Sequence, residues 1–176
     1  MHKVFFYVLC LLCTPITLAA PSAEDRAAEL NQLFEELKNA PNEMEALQTE
    51  EKIWIHWTQT GDPAFDEPMD QVLRARRVSD FDKALDILEK LKASYPDNAE
   101  VWNQIATIRF FRGDLEGSLE AVAETLAREP RHFGSLAGRA NIRLKQAKPA
   151  LAIQNLNEAL KVHPFLRERH WFPRPK

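Results

Sequence analysis

An all-α array of stacked helix hairpins is the fold this sequence predicts, on three observations. Pro96, Pro130 and Pro164 stand 34 residues apart, and each closes a segment that aligns without a gap to the other two. Eight residues before each proline lies an apolar side chain (Leu88, Val122, Leu156), and four earlier a small one (Ala84, Ser118, Ala152). No stretch alternates apolar and polar residues with period two, so nothing argues for a strand. A period of this length marks helix pairs that cannot bury their apolar faces alone and must stack.

Residues 1–19 read as a secretory signal. Lys3 precedes an apolar run from Val4 to Cys13, and Thr17-Leu18-Ala19 places small residues where a signal peptidase reads. The run is short for a membrane-spanning helix, and an uncleaved signal anchor is the alternative. Cleavage is expected after Ala19, since a cut after Ala20 would put Pro21 directly behind the scissile bond. Leu9 and Leu12 precede Cys10 and Cys13, so neither cysteine sits in a lipoprotein site. The expectation is an exported, periplasmic, non-lipidated protein. Both cysteines leave with the signal, so the mature fold rests on packing without disulfides. The chain carries a net charge of −3, and losing Lys3 makes it slightly more acidic. That argues against a nucleic-acid partner, which needs a concentrated basic face.

Residues 20–64 predict a helical hairpin. Leu30, Leu33, Phe34 and Leu37 recur at helical spacing, Pro41-Asn42 breaks the pattern, and Met44, Leu47, Ile53, Trp54 and Trp57 continue it to Gly61-Asp62-Pro63. An open array end would expose apolar surface, so this hairpin is expected to cap the first repeat. Three hairpin repeats follow, at 65–98, 99–132 and 133–164. Ala84, Ser118 and Ala152 are small where paired helices approach, opposite Ala106 and Ala140, although Val72 departs from that rule. Leu85, Leu119 and Ile153 supply bulk beside them. Gly113 follows a helix end, where a left-handed conformation costs glycine little. Ala147-Lys148-Pro149 replaces it in the third repeat, whose turn is therefore expected to differ.

The middle segment, Ala99 to Pro130, keeps Trp102, Ala106 and the Gly113-Asp114 turn, and with the 34-residue period it resembles the tetratricopeptide repeat family. The likeness covers about 100 residues, from Phe65 to Pro164. Pro130-Arg131-His132-Phe133-Gly134-Ser135-Leu136, taken with Ile53-Trp54, Trp57 and Thr60-Gly61, resembles a narrower group. These are short exported bacterial tetratricopeptide proteins, chiefly alphaproteobacterial, with a signal peptide, an N-terminal hairpin and about three repeats. Their biochemical role is not well defined, so the likeness carries architecture more than activity.

The resemblance implies a concave surface, lined by the first helix of each repeat, that holds a peptide or protein partner. Its candidates are Asp66, Met69, Leu73 and Arg76 in the first repeat and Asn103, Thr107 and Phe110 in the second. The third repeat offers Ala137, Asn141, Leu144 and Lys145. Asparagine amides pair with an extended backbone, and Phe110 and Leu144 would accept an apolar side chain. Where relatives that hold chaperone C-termini carry lysine and asparagine, this chain has Met69 and Leu73, so that specialisation is not expected. Arg109 and Arg143 are equivalent by the 34-residue shift, with Arg139 one turn before Arg143. They would meet carboxylates of an acidic partner, or pair within the molecule with residues such as Glu116 and Glu120.

The segment 165–176 ends the reading. Arg167, Arg169, Arg174 and Lys176 oppose Glu168, with Trp171 and Phe172 between, and the stretch is too short and proline-ended for a closing helix. Folding back near Ile153, Leu156 and Leu160 is the favoured expectation, ahead of self-association or contact with anionic lipid. His56, His132, His163 and His170 are scattered without metal-ligand spacing, and the two in inter-repeat turns are expected to be solvated. Asp62, Asp66, Glu67 and Asp70 lack the spacing of a calcium loop, and no serine stands in a G-x-S-x-G elbow. The expectation is a binding protein with no catalytic residues, metal or cofactor. A structural, self-associating subunit is the alternative.

Overall fold

The computed structural model describes residues 22–171, among which every regular element is helical. The signal segment and Phe172, Arg174 and Lys176 of the tail lie outside the described residues. Eight α-helices run in order: α1 (Ala23–Lys38), α2 (Glu43–Thr58), α3 (Pro63–Arg77), α4 (Phe81–Ser94), α5 (Ala99–Phe111), α6 (Leu115–Arg128), α7 (Phe133–Lys145) and α8 (Pro149–Val162). A single 3₁₀ turn, Arg167–His170, follows. The hairpins α3–α4, α5–α6 and α7–α8 stack in sequence, α4 on α5 and α6 on α7.

Local chemistry starts these helices where they start. Ser22 and Asp25 form a reciprocal capping box on α1. Asn42, Asp62, Asp80, Asn98 and Asp114 cap α2 to α6 with side-chain oxygens, and His132 caps α7 through its ring. Asp62 also accepts the Tyr95 hydroxyl proton at 2.6 Å, which holds its carboxyl below the ordinary range. α8 has no side-chain cap, because Lys148 stands where Asp80 and Asp114 stand in the other repeats.

The three hairpin turns share one geometry, contrary to the expectation from Ala147. Ser79, Gly113 and Ala147 all adopt left-handed φ, at 60°, 82° and 56°. In each, the amides of that residue and of the next close back on the helix: Gly113 N–H to Phe110 O and Asp114 N–H to Arg109 O, with Ala147 to Leu144 and Lys148 to Arg143 alike. This is the Schellman arrangement, and the packing around it holds even where the residue is not glycine.

Ala84, Ser118 and Ala152 are buried at the helix crossings, and Ser118 Oγ donates to Ala106 O at 2.7 Å. The first core cluster joins Phe65, Met69, Val72, Leu88, Val101, Ile105, Ile108 and Val122 across the first two repeats. Trp102 flanks it, its ring nitrogen on Pro96 O at 3.3 Å and the Arg128 guanidinium 5.0 Å over its face. Ile153 departs from its expected role, since α8 turns it outward with Leu151, each 42 % exposed.

The N-terminal hairpin does not sit over the end of the first repeat. Its residues Leu33, Phe34, Leu37, Ile53 and Trp57 form a second core with Phe133, Leu136, Ala137, Ala159 and Leu166. α1 reaches α8, and α2 touches both α3 and α5. The hairpin therefore closes the third repeat and crosses the concave side. Its apolar stripe carries Phe34, Trp54 and Trp57 among the leucines, and the rings they match, His132 and Phe133, lie at the start of α7. The tail also differs from expectation: Phe165 and Leu166 enter this second core, and Arg169 bonds Glu43 at 2.9 Å, while Trp171 remains exposed.

Candidate partner-binding face

The concave side is built around a buried polar knot. His132 Nδ1 accepts the Ser135 N–H at 3.1 Å to start α7, so its proton lies on Nε2. Nε2–H then donates to Glu100 Oε2 at 2.9 Å, with both side chains buried, at 0 % and 1 % exposure. Asn103 Nδ2 donates to the same oxygen at 3.1 Å, and Gln104 Nε2 to the other. Ser135 Oγ donates to Asn103 Oδ1 at 2.8 Å. A buried carboxylate survives only with such partners. Asn103, expected to face a partner, lines the cavity described below, but its amide is committed to Glu100 and Ser135.

Two tryptophans of α2 cover this knot. Trp57 stacks on the His132 ring at 3.9 Å and 8°, and Trp54 meets Phe133 edge-on at 5.3 Å. Trp54 also lies over Gly134, where an added Cβ would come within 2.7 Å of the indole. Glycine there is a condition of docking. The two sequence stretches that carried the narrower resemblance are thus one contact surface.

His163 repeats the device at the end of α8. It is fully buried, its Nδ1 accepting Phe165 N–H at 3.3 Å and its Nε2 donating to Glu50 Oε2 at 3.0 Å. Burial pushes the Glu50 carboxyl up. Hydrogen bonds from His163 and Trp54, with the nearby charge of Arg167, outweigh this and hold it below its ordinary value. The expectation of solvated histidines at 132 and 163 fails because each ring caps a turn and ties it to a carboxylate on another hairpin.

α2 divides the concave side into two openings. Between α2 and α3–α5 lies a shallow crevice of about 540 Å³, with Leu47, Ile55, Leu73, Arg76 and Gln104 on its walls. Between α5, α7 and the C-terminal turn lies a cavity of about 390 Å³, and it holds Thr107, Phe110 and Asn141 together. Leu144 is half-buried and Lys145 exposed; the Lys145 ammonium stands 4.7 Å over the Phe110 ring. Met69 and Ala137 are buried in the cores, and Asp66 accepts the Thr60 and Gly61 amides at 2.6 and 2.9 Å.

The arginines are engaged within the fold. Arg109 donates to Gly117 O at 3.0 Å and stands 3.8 Å from Glu120. Arg139 pairs with Glu158, and Arg143 donates to Gln146 Oε1 at 2.8 Å. Arg109 and Arg139 brace first helices against second helices, and Arg143 closes the end of its own helix. Sequence reasoning missed Glu50, Glu100 and Gly138; the readable signal was His132 at the register of the capping Asn98, 34 residues on.

A TPR repeat-containing protein of Rhizobium etli is 31 % identical to this chain over 135 residues, 77 % of the chain and 66 % of the relative. The chain belongs to the tetratricopeptide repeat family. No family model matches it. The repeat spacing, the Schellman turns and the small residues at the crossings are how this tetratricopeptide protein realises the family's all-α solenoid. Its relative is alphaproteobacterial, as the sequence resemblance had it. The chain spans just under two thirds of that relative's length.

Proposed function

We propose that this protein is an exported protein-interaction module that holds an extended segment of a partner in the α5–α7 cavity. The work it fits is envelope scaffolding or assembly in the periplasm. The observation that supports it is the gathering of Thr107, Phe110 and Asn141 around one open cavity of about 390 Å³. An apolar wall beside an amide is what an extended peptide needs, one for a side chain and the other for its backbone. Solenoid proteins present such concave surfaces to partners. The leader-like residues 1–19 support export.

The test is crosslinked capture from envelope fractions with the tagged chain, beside a Phe110→Ala, Asn141→Ala variant. Asn103 is left intact, because removing it would break the knot around Glu100. A defined partner recovered with the parent and lost with the variant supports the reading. Recovery of only the protein itself, equally from both, refutes it. That outcome favours self-association, for which the exposed Leu151 and Ile153 on α8 supply an apolar patch.

A further inference from the structure

One wall of the cavity lacks a side chain. Gly138 lies inside α7, where glycine costs about 1 kcal/mol relative to alanine. A Cβ built on it meets no atom within 4 Å, and the residue lines the cavity. Gly134, one turn earlier, makes room for Trp54; Gly138 makes room for nothing belonging to this protein among the described residues.

Several polar groups around that space are already engaged. Ser118 Oγ donates to Ala106 O, Ser135 Oγ to Asn103 Oδ1, and Thr107 Oγ1 to Asn103 O at 2.9 Å. Glu50 receives Trp54 Nε1–H at 3.1 Å and His163. What remains for a guest is the Asn141 amide and the Arg167 and Glu168 side chains, set beside an apolar wall made by Trp54, Phe110 and Phe133 with Leu166 from the C-terminal turn. Aromatic walls reward an aromatic guest beyond simple burial. The volume lies at the small end of the about 300–1,000 Å³ of ligand pockets, enough for one large side chain and too little for a helix.

We propose that this cavity is an anchor pocket that receives one bulky apolar side chain, foremost an aromatic one, of the partner segment. The inference rests on the partner-binding reading above and adds the chemistry of the residue recognised. Its walls come from α2, from the second and third repeats, and from the turn after α8. The N-terminal hairpin is thus part of the binding site as well as part of the fold.

The probes are N-acetyltryptophanamide, N-acetylleucinamide and N-acetyllysinamide, titrated into the isotope-labelled mature protein and followed by amide shifts. Saturable shifts at Gly138 and Asn141 are expected with the tryptophan amide, weaker ones with the leucine amide and none with the lysine amide. A dissociation constant on the order of 1 mM suits so small a probe. Gly138→Leu, which fills the space, should weaken the tryptophan amide at least about tenfold, or 1.4 kcal/mol. Gly138→Ala should melt higher than the parent while binding less, which keeps the test valid if the leucine variant folds poorly. No saturable shift in the parent overturns the proposal, as does parent-like binding by Gly138→Ala together with a folded Gly138→Leu. Partner capture that depends on Phe110 and Asn141 without probe binding would sink the pocket and leave the module standing. Probe binding with capture indifferent to those residues would do the reverse.

Discussion

The two cores of this protein are held together differently. The first, across the first two repeats, is mostly aliphatic, built from Val72, Leu88, Val101, Ile105, Ile108 and Val122 with small residues at the crossings. The second, where the N-terminal hairpin meets the third repeat, adds to its aliphatic residues a cluster of rings, Phe34, Trp54, Trp57 and Phe133, packed beside buried His132 and His163. Aliphatic packing of this kind tolerates substitution of similar volume. The second core couples ring stacking to hydrogen-bonded carboxylates, so its members depend on one another's placement. A repeat array is assembled from interchangeable contacts; the closure of this one is not.

Trp57→Ala should expose that contrast most. It removes a buried ring stacked on His132 and tilted against Phe34 at 6.0 Å. The loss for such a truncation is about 3–5 kcal/mol. Hydrogen exchange should quicken through α1, α2 and the start of α7, while the amides of α4 and α6 keep most of their protection. Equal loss of protection in all eight helices would show the two cores to be one cooperative unit.

This difference also governs what the sequence made readable. The repeats were legible because their contacts recur: the same small residue, apolar residue and proline return every 34 positions. The hairpin's helices were legible from Leu33, Phe34 and Leu37, but its destination was not. Asn31 accepts from Arg131 across 100 residues, His163 donates to Glu50 across 113, and Arg169 to Glu43 across 126. Such pairs occur once each, so periodicity holds no trace of them. Nor does periodicity separate an engaged amide from a free one, which is why Asn103, though it lines the cavity, read as an amide open to a partner. Thr107, Phe110 and Asn141 do share an opening because helical spacing alone puts them on the concave side.

A smaller effect tests how regular the third repeat is. Ala147 takes the left-handed conformation that glycine takes at 113, and Lys148 leaves α8 without the aspartate cap its counterparts have. Ala147→Gly should stabilise by about 1 kcal/mol through relief of the left-handed strain. Lys148→Asp should add about 1 kcal/mol by capping α8 and suiting its dipole. Denaturant midpoints check both. Swapping Gly113 to alanine should destabilise by an amount similar to the first gain, because the turn geometry is shared. Unequal values would mean that the third turn is shaped by the aromatic core and not by the repeat.

The smallest effect depends on pH and again falls on the hairpin. His56 of α2 is largely buried, its Nε2–H on Arg26 O at 2.9 Å, while Arg26 itself donates to His56 O at 2.7 Å. Burial and the Arg26 charge push the imidazole below its ordinary 6.5, despite the bond to the carbonyl. The folded state thus holds that proton less tightly than the unfolded chain. Its contribution is complete above the ordinary value and is lost as pH falls through the folded one. Glu50, also depressed, gives way only at lower pH, beneath the 4.5 of a free glutamate. His56→Gln keeps a donor for Arg26 O and removes the titration, so its stability should change less between pH 7.5 and 5.5 than the parent's. Urea melts at the two pH values give the difference directly. An identical slope in both proteins would take His56 out of the account and leave the acid response to the carboxylates.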